Sequence, residues 1–144
     1  PGKRVLVLDD IGAWPGNGTA LKLAEAGHDV VLVAKDAYIA ADMGRVTSDG
    51  AMRKALATAG VEMRPASAVV SWTGDAATVR HLATGVEQTQ PFDTLVIAET
   101  PVPNEQIWRD LEGSGLDVHV VGDAMAHHKA SGAIYDGRRI AMGL

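Results

Sequence analysis

The sequence predicts an α/β fold: a central parallel sheet, helices packed against it, and an inserted antiparallel β-meander. Three observations carry this. Val5-Leu6-Val7-Leu8, Val30-Val31-Leu32-Val33 and Thr94-Leu95-Val96-Ile97-Ala98 are apolar runs without polar alternation, the pattern of strands buried on both faces. A glycine-bearing loop and a helix-like stretch separate the first two runs, which makes a βαβ unit with a right-handed crossover. Two alternating runs, Ala68 to Trp72 and Ala77 to Leu82, flank Gly74-Asp75, a hairpin signal.

The first strand ends in Asp9-Asp10 and opens into a loop from Asp10 to about Asn17 that carries Gly12, Pro15, Gly16 and Gly18. Thr19 to Ala26 reads as a helix with Ala20, Leu21, Leu23 and Ala24 apolar, and Gly27 stops it. After the second strand, residues 35–46 carry no clear pattern. Thr47 or Ser48 is placed as the cap of a helix to about Ala59, with Met52, Ala55 and Leu56 on one face. Gly60 ends it, and Val61 to Arg64 is a third strand. Gly85 to Phe92 is polar, a turn plus a short edge strand. Beyond the Thr94 to Ala98 run, Pro101 and Pro103 break the chain, and Asn104 caps a short helix through about Leu111. Val118 to Val121 is placed as a last strand, Gly122-Asp123 as a turn, and about His127 to Met142 as a final helix. The fold class is therefore a Rossmann-like three-layer domain of the FAD/NAD(P)-binding type, its central parallel sheet interrupted by the meander.

Composition excludes several functions. A net charge of −5 opposes nucleic acid or an anionic membrane as partner, because both require a basic face. No apolar run approaches the length of a membrane span, and Gly2-Lys3-Arg4 leads straight into a strand rather than a signal peptide. With no cysteine, the segment has no disulfide, no thiol nucleophile and no cysteine-ligated cluster, which fits a cytoplasmic protein. The chain starts at Pro1 and stops at Leu144 directly after a helix-like stretch, and both ends read as cuts from a longer polypeptide.

Four places are candidates for chemistry. In a dinucleotide-binding βαβ unit, glycines let pyrophosphate approach the helix N-terminus, where free N–H groups and the helix dipole stabilise negative charge. Here Gly12, Gly16 and Gly18 are the candidate phosphate-loop residues, but Asp9 and Asp10 stand where the first glycines of G-x-G-x-x-G belong. Two carboxylates there repel a pyrophosphate, so a degenerate loop accounts for the same residues. At the end of the second strand, Asp36 is placed to hold an adenosine ribose, while Lys35 beside it suits a 2′-phosphate. A solvated strand end accounts for both. Gly122-Asp123-Ala124 follows the last strand, where Asp123 either accepts from ribityl or ribose hydroxyls or caps the helix. Finally, His127 and His128 diverge on a helix, and His28, His81 and His119 are scattered, so no metal site and no catalytic residue is assigned. Trp14, Trp72 and Trp108 are read as packing residues.

Three stretches resemble a known family. They are Lys3-Arg4-Val5-Leu6-Val7-Leu8-Asp9-Asp10; Ala20 to Val33 with Leu23-Ala24-Glu25-Ala26-Gly27-His28-Asp29-Val30; and Val120-Val121-Gly122-Asp123-Ala124 with Ala133-Ile134-Tyr135-Asp136-Gly137-Arg138-Arg139 downstream. Their order along the chain is similar to the C-terminal region of the NADH:flavin oxidoreductases of the trimethylamine dehydrogenase and 2,4-dienoyl-CoA reductase type. The fit is closer to the amine-dehydrogenase branch, which also lacks the glycine fingerprint.

The resemblance implies a larger enzyme with an N-terminal old-yellow-enzyme-like barrel holding FMN and a 4Fe-4S cluster, and FAD, ADP or NAD(P)H as possible ligands of the present region. It implies that Asp123 lies beside a flavin or ADP. Residues 1–100 are then the NAD(P)-domain-like unit with a degenerate glycine loop. Residues 101–144 are the returning helix, last strand and last helix of the flavin/ADP-type domain. The function expected is a part of a redox enzyme, inactive alone, that oxidises a small amine or reduces an enone or enoyl thioester. The alternative is a vestigial module for packing or for docking an electron-transfer protein. Expected partners are the barrel of the same polypeptide, an electron-transfer protein and further copies of the chain. Val118 to Val121 is expected to extend the sheet beside Thr94 to Ala98 or to pair with another chain, since an unpaired strand edge is unfavourable.

Overall fold

The computed structural model describes residues 2–143; Pro1 and Leu144, the two ends read as cuts, lie outside them. The chain divides into two compact units, Pro1–Glu99 and Thr100–Leu144.

The first unit runs β1 (Arg4–Asp9), α1 (Trp14–Glu25), β2 (Asp29–Ala34), α2 (Asp49–Thr58), β3 (Glu62–Arg64), β4 (Ser67–Trp72), β5 (Ala76–His81), β6 (Glu87–Pro91) and β7 (Thr94–Ala98). Four strands form a parallel sheet in the order β3-β2-β1-β7, and β4-β5-β6 form the antiparallel meander. The register pairs Val5 with Val30 on one side of β1 and with Thr94 on the other. Strand alternation then splits the apolar runs between two cores. Val5, Val7, Val30, Leu32 and Ala34 face Ala20, Met52 and Leu56 on the helix side. Leu6, Val31 and Val33 face Ala77, Val79 and Phe92 on the meander side. Burial on both faces is why the β1 and β2 runs show no alternation. Each such side chain contributes about 1.5–3 kcal/mol. The Thr94 to Ala98 run, expected to be buried on both faces, is corrected: β7 is an edge strand, none of its residues is fully buried, and Ile97 is 58% exposed. The fold class is thus the one expected from sequence, three layers with the parallel sheet in the middle.

The hairpin signal is realised. Gly74 takes φ +102, Thr73 N–H donates to the Ala76 carbonyl at 2.9 Å, and Thr73 Oγ1 bonds Asp75 Oδ1 at 2.8 Å. Trp72 packs against the meander-side core, whereas Trp14 is 61% exposed and does not pack as expected.

Two local expectations in this unit are corrected. Helix α1 begins at Trp14, not Thr19, so the loop is only Asp10 to Ala13. Pro15 sits in the first turn, where no N–H is required and its fixed φ suits a helix. Ser48 does occupy the position before α2, but makes no cap; its hydroxyl instead donates to the Met43 carbonyl at 3.4 Å. Asp49 in the first turn, 2.8 Å from Arg53 one turn on, places negative charge at that helix end instead. The patternless stretch 35–46 holds a 3-10 helix at Ala41–Val46, anchored by buried Ile39, Ala40 and Met43.

The second unit contains α3 (Gln106–Leu111), a 3-10 turn at Gly122–Ala124 and α4 (Ala130–Ala141). The cap expected at Asn104 is corrected: Glu105 holds the N-cap position of α3 without a side-chain cap bond, and Asn104 Oδ1, one residue earlier, accepts from Gln106 N–H at 3.3 Å. The strand expected at Val118 to Val121 does not form among the described residues, and the segment is part of neither sheet of this chain. The segment is apolar, but an apolar run becomes a strand only where a neighbouring ladder satisfies its backbone. The last helix starts at Ala130 rather than His127. The segment before it is tied down instead: His128 N–H donates to Asp123 Oδ1 at 3.2 Å. No large hydrophobic side chain is fully buried among the described residues of this unit, and Ile107, Ile134 and Met142 stay more than two-thirds exposed.

Candidate functional site at the carboxyl ends of the parallel strands

In open α/β sheets, ligands bind outside the carboxyl ends of the strands. In this chain β1 delivers Asp9 and Asp10 there, β2 is followed by Lys35 and Asp36, and β7 by Glu99.

Asp9 shares the face of Val5 and Val7, so alternation turns its side chain inward toward α1. It is fully buried. Its Oδ1 accepts from Gly12 N–H at 3.0 Å and Ile11 N–H at 3.3 Å, and its Oδ2 accepts from Asn17 Nδ2 at 2.7 Å. Asn17, equally buried, also donates to the Ala13 carbonyl at 2.7 Å, while its own Oδ1 has no protein partner. Burial pushes the Asp9 carboxyl above its ordinary range; the Gly12, Ile11 and Asn17 donors pull it down, and nearby Asp36 adds to the rise.

The glycines follow from this packing. A Cβ at Gly16 would stand 2.5 Å from Asp9 Cγ, so only glycine lets the first turn of α1 close over the carboxylate. Gly12 takes φ +69, and its carbonyl accepts from Asp42 N–H at 3.0 Å. A Cβ there would crowd the backbone of Ala41 and Asp42 and lie 3.2 Å from Asp36 Oδ2. Gly18 faces the Trp14 ring rather than the loop. Of the candidate phosphate-loop residues, Gly12 and Gly16 therefore gather around Asp9 and Gly18 does not; Asp36, the ribose candidate, lies beside Gly12.

Around this point the charges are mostly negative. Asp10 Oδ1 holds Lys35 Nζ at 2.8 Å, and that carboxylate, with Asp36 and Glu99 adding, pushes the Lys35 ammonium up. Arg45 pairs with Asp42 at 2.6 Å. Lys35 and Arg45 are thus matched to carboxylates, and the Ile11 and Gly12 N–H groups are already bonded to Asp9. Neither fits a dinucleotide.

In the second unit, Gly122 is buried at φ +61, and a Cβ on it would come 3.3 Å from the Ala133 Cβ, so glycine permits the turn to lie on α4. Asp123 is exposed; it closes the loop to His128 rather than capping α4, whose own first position has no side-chain cap. Ala124 is exposed in the same turn. His128 Nε2 lies 3.4 Å from Oδ2 of Asp136, which is nearly buried on α4. Among the described residues no three His, Asp or Glu side chains are arranged to hold a metal ion.

Asn17 is the residue that sequence reasoning missed, since it reads as loop. The inward aim of Asp9 was available from strand alternation, two residues after Val7.

No protein-family model matches the chain, and no curated protein matches it. Solved structures do. Histamine dehydrogenase from Rhizobium sp. 4-9 superposes with a TM-score of 0.91 at 27% identity, over 99% of this chain. For 6-hydroxypseudooxynicotine amine oxidase from Pseudomonas geniculata N1 the values are 0.89, 22% and 96%. For 2-naphthoyl-CoA reductase they are 0.80, 21% and 99%. The chain spans only 23%, 22% and 21% of these three proteins, respectively. The latter two show the shared fold. Together the three bear out the resemblance to oxidoreductases of the trimethylamine dehydrogenase and 2,4-dienoyl-CoA reductase type, with this chain matching a small part of a larger redox enzyme.

Proposed function

We propose that this chain is the nucleotide-domain-like segment of a flavin-dependent oxidoreductase that oxidises a small amine or reduces an enoyl thioester, and that its first unit is a scaffold. Residues 1–100 are its NAD(P)-domain-like part, and residues 101–144 belong to a flavin/ADP-type domain. FMN and a 4Fe-4S cluster would be held elsewhere in the polypeptide, on a barrel. This segment has no cysteine to ligate such a cluster. An electron-transfer protein and further copies of the chain are the partners this reading implies.

The observation that carries the scaffold role is the Asp9 carboxylate lying fully buried on the loop donors. NAD(P)H, FAD or ADP would have to displace it and then face Asp10, Asp36 and Glu99. A second reading belongs to the other unit: the Gly122-Asp123-Ala124 turn holds Asp123 exposed, with Oδ1 used and Oδ2 3.8 Å from His127 Nδ1. That carboxylate is accessible to the hydroxyls of a ribose or ribityl chain.

Adding ADP, NADH and NADPH in turn to the 15N-labelled chain tests both. Unchanged amide signals over residues 9–18 are expected. Saturable shifts in that loop would sink the scaffold reading, and shifts confined to residues 122–128 support the second.

A further inference from the structure

We infer that Asp9 supplies the β1–α1 loop with its own anion, and that removing its carboxylate leaves a site for a small oxyanion. The inference rests on the scaffold reading and adds a named residue and a ligand class to it.

Three donors from separate places converge on one carboxylate: the backbone N–H groups of Ile11 and Gly12 and the side-chain amide of Asn17 on α1. All three donate to it, as an ionised acceptor-only group requires. The amide orientation is itself informative. Asn17 directs Nδ2 at Asp9 and at the Ala13 carbonyl, and leaves its own buried Oδ1 without a protein partner. Asp9 Oδ2 and the Ala13 carbonyl are both acceptors 2.7 Å from the same end of the amide, so that end is the donor. The first turn of α1 abuts the carboxylate at Gly16, which puts the positive end of the helix dipole beside it. Donors, dipole and glycine contact are the elements with which this class of loop cradles phosphate. In this chain a side chain from the end of the strand occupies them. The role of Asp9 is therefore exclusion: it satisfies the loop and denies it to phosphates.

Asp9→Ala deletes the acceptor and leaves a carboxylate-sized void lined by three donors. Formate and acetate restore the missing group, and inorganic phosphate tests whether a larger oxyanion enters. We expect Asp9→Ala to melt below the parent chain. Formate or acetate should raise its Tm by a few degrees beyond sodium chloride at equal ionic strength, saturably, with shifts of the Ile11, Gly12 and Asn17 side-chain amide signals. The parent chain should not respond. Rescue by phosphate as well supports the inference; rescue by none of the three overturns it. If the variant folds in no condition, the parent chain decides by acid titration followed by NMR. The Ile11 and Gly12 amide signals must move together with the Asp9 carboxyl carbon, and amides that stay fixed overturn the inference. Nucleotide shifts in the parent loop would sink the scaffold reading and the exclusion role with it, whereas an unresponsive Asp9→Ala sinks the internal anion and leaves the scaffold reading standing.

Discussion

Asp9 shows how one side chain redirects a binding fold. Its carboxyl is raised above the ordinary 3.8 mainly by burial, against the pull of its three donors. A carboxyl whose folded value is raised binds its proton more tightly in the folded than in the unfolded state. Its favourable contribution is fully present below the unfolded value and is lost as pH rises through the folded one. Asp9→Asn has no such titration. Urea unfolding of both proteins from about pH 4 to about pH 7 should therefore show the stability of the parent chain, relative to Asp9→Asn, falling as pH rises. A gap that is flat or widens with pH contradicts the assignment. The residue was visible in the sequence as a charge out of place. That it points inward was legible only by carrying the alternation of Val5 and Val7 one step further.

At the scale of elements, the segment from Gly12 to Gly18 changes meaning. Read by composition it is a long loop, because glycine and proline interrupt helices. In the fold it is a short loop and the first turn of a helix, where proline is tolerated and a glycine permits close approach. Glycines on the two helices of the first unit should then behave oppositely. Gly16→Ala drives a Cβ into the Asp9 carboxylate and should lower stability by about 1–3 kcal/mol. Gly50→Ala, on α2 with no heavy atom within 4 Å of the added carbon, should raise it by about 0.5–1 kcal/mol. Urea denaturation midpoints report both, and equal effects would show that α1 does not close on Asp9.

For the molecule as a whole, the contrast between the units matters most. The first has two apolar cores, one on each face of its sheet. The second leaves Val102, Ile107, Ile134 and Met142 largely exposed and has a run at 118–121 without a ladder. A segment of this kind is what the proposed larger enzyme would supply with neighbours. The protein purified from its natural source is accordingly expected to show a flavin absorption band that bleaches on addition of a small amine or of reductant. A colourless protein would overturn the whole-enzyme reading.

What the sequence determined by itself is the layer structure of the first unit. The unalternating runs of β1 and β2 match strands covered on both sides, and the alternating runs around Gly74-Asp75 match a half-covered hairpin. The ordered motifs also carried the resemblance that the superpositions bear out. What tertiary structure decided is whether local signals were used. Val118 to Val121 has strand composition, yet no ladder forms there. Ser48 has a capping side chain, yet its hydroxyl goes to Met43. Gly12 and Gly16 look like a place for phosphate, yet a carboxylate from the same chain lies there. Each outcome depends on which partner is nearest in space. The partners that were used lie only three to eight residues away along the chain, so the course of the backbone in space decides which groups meet, and composition does not encode that course.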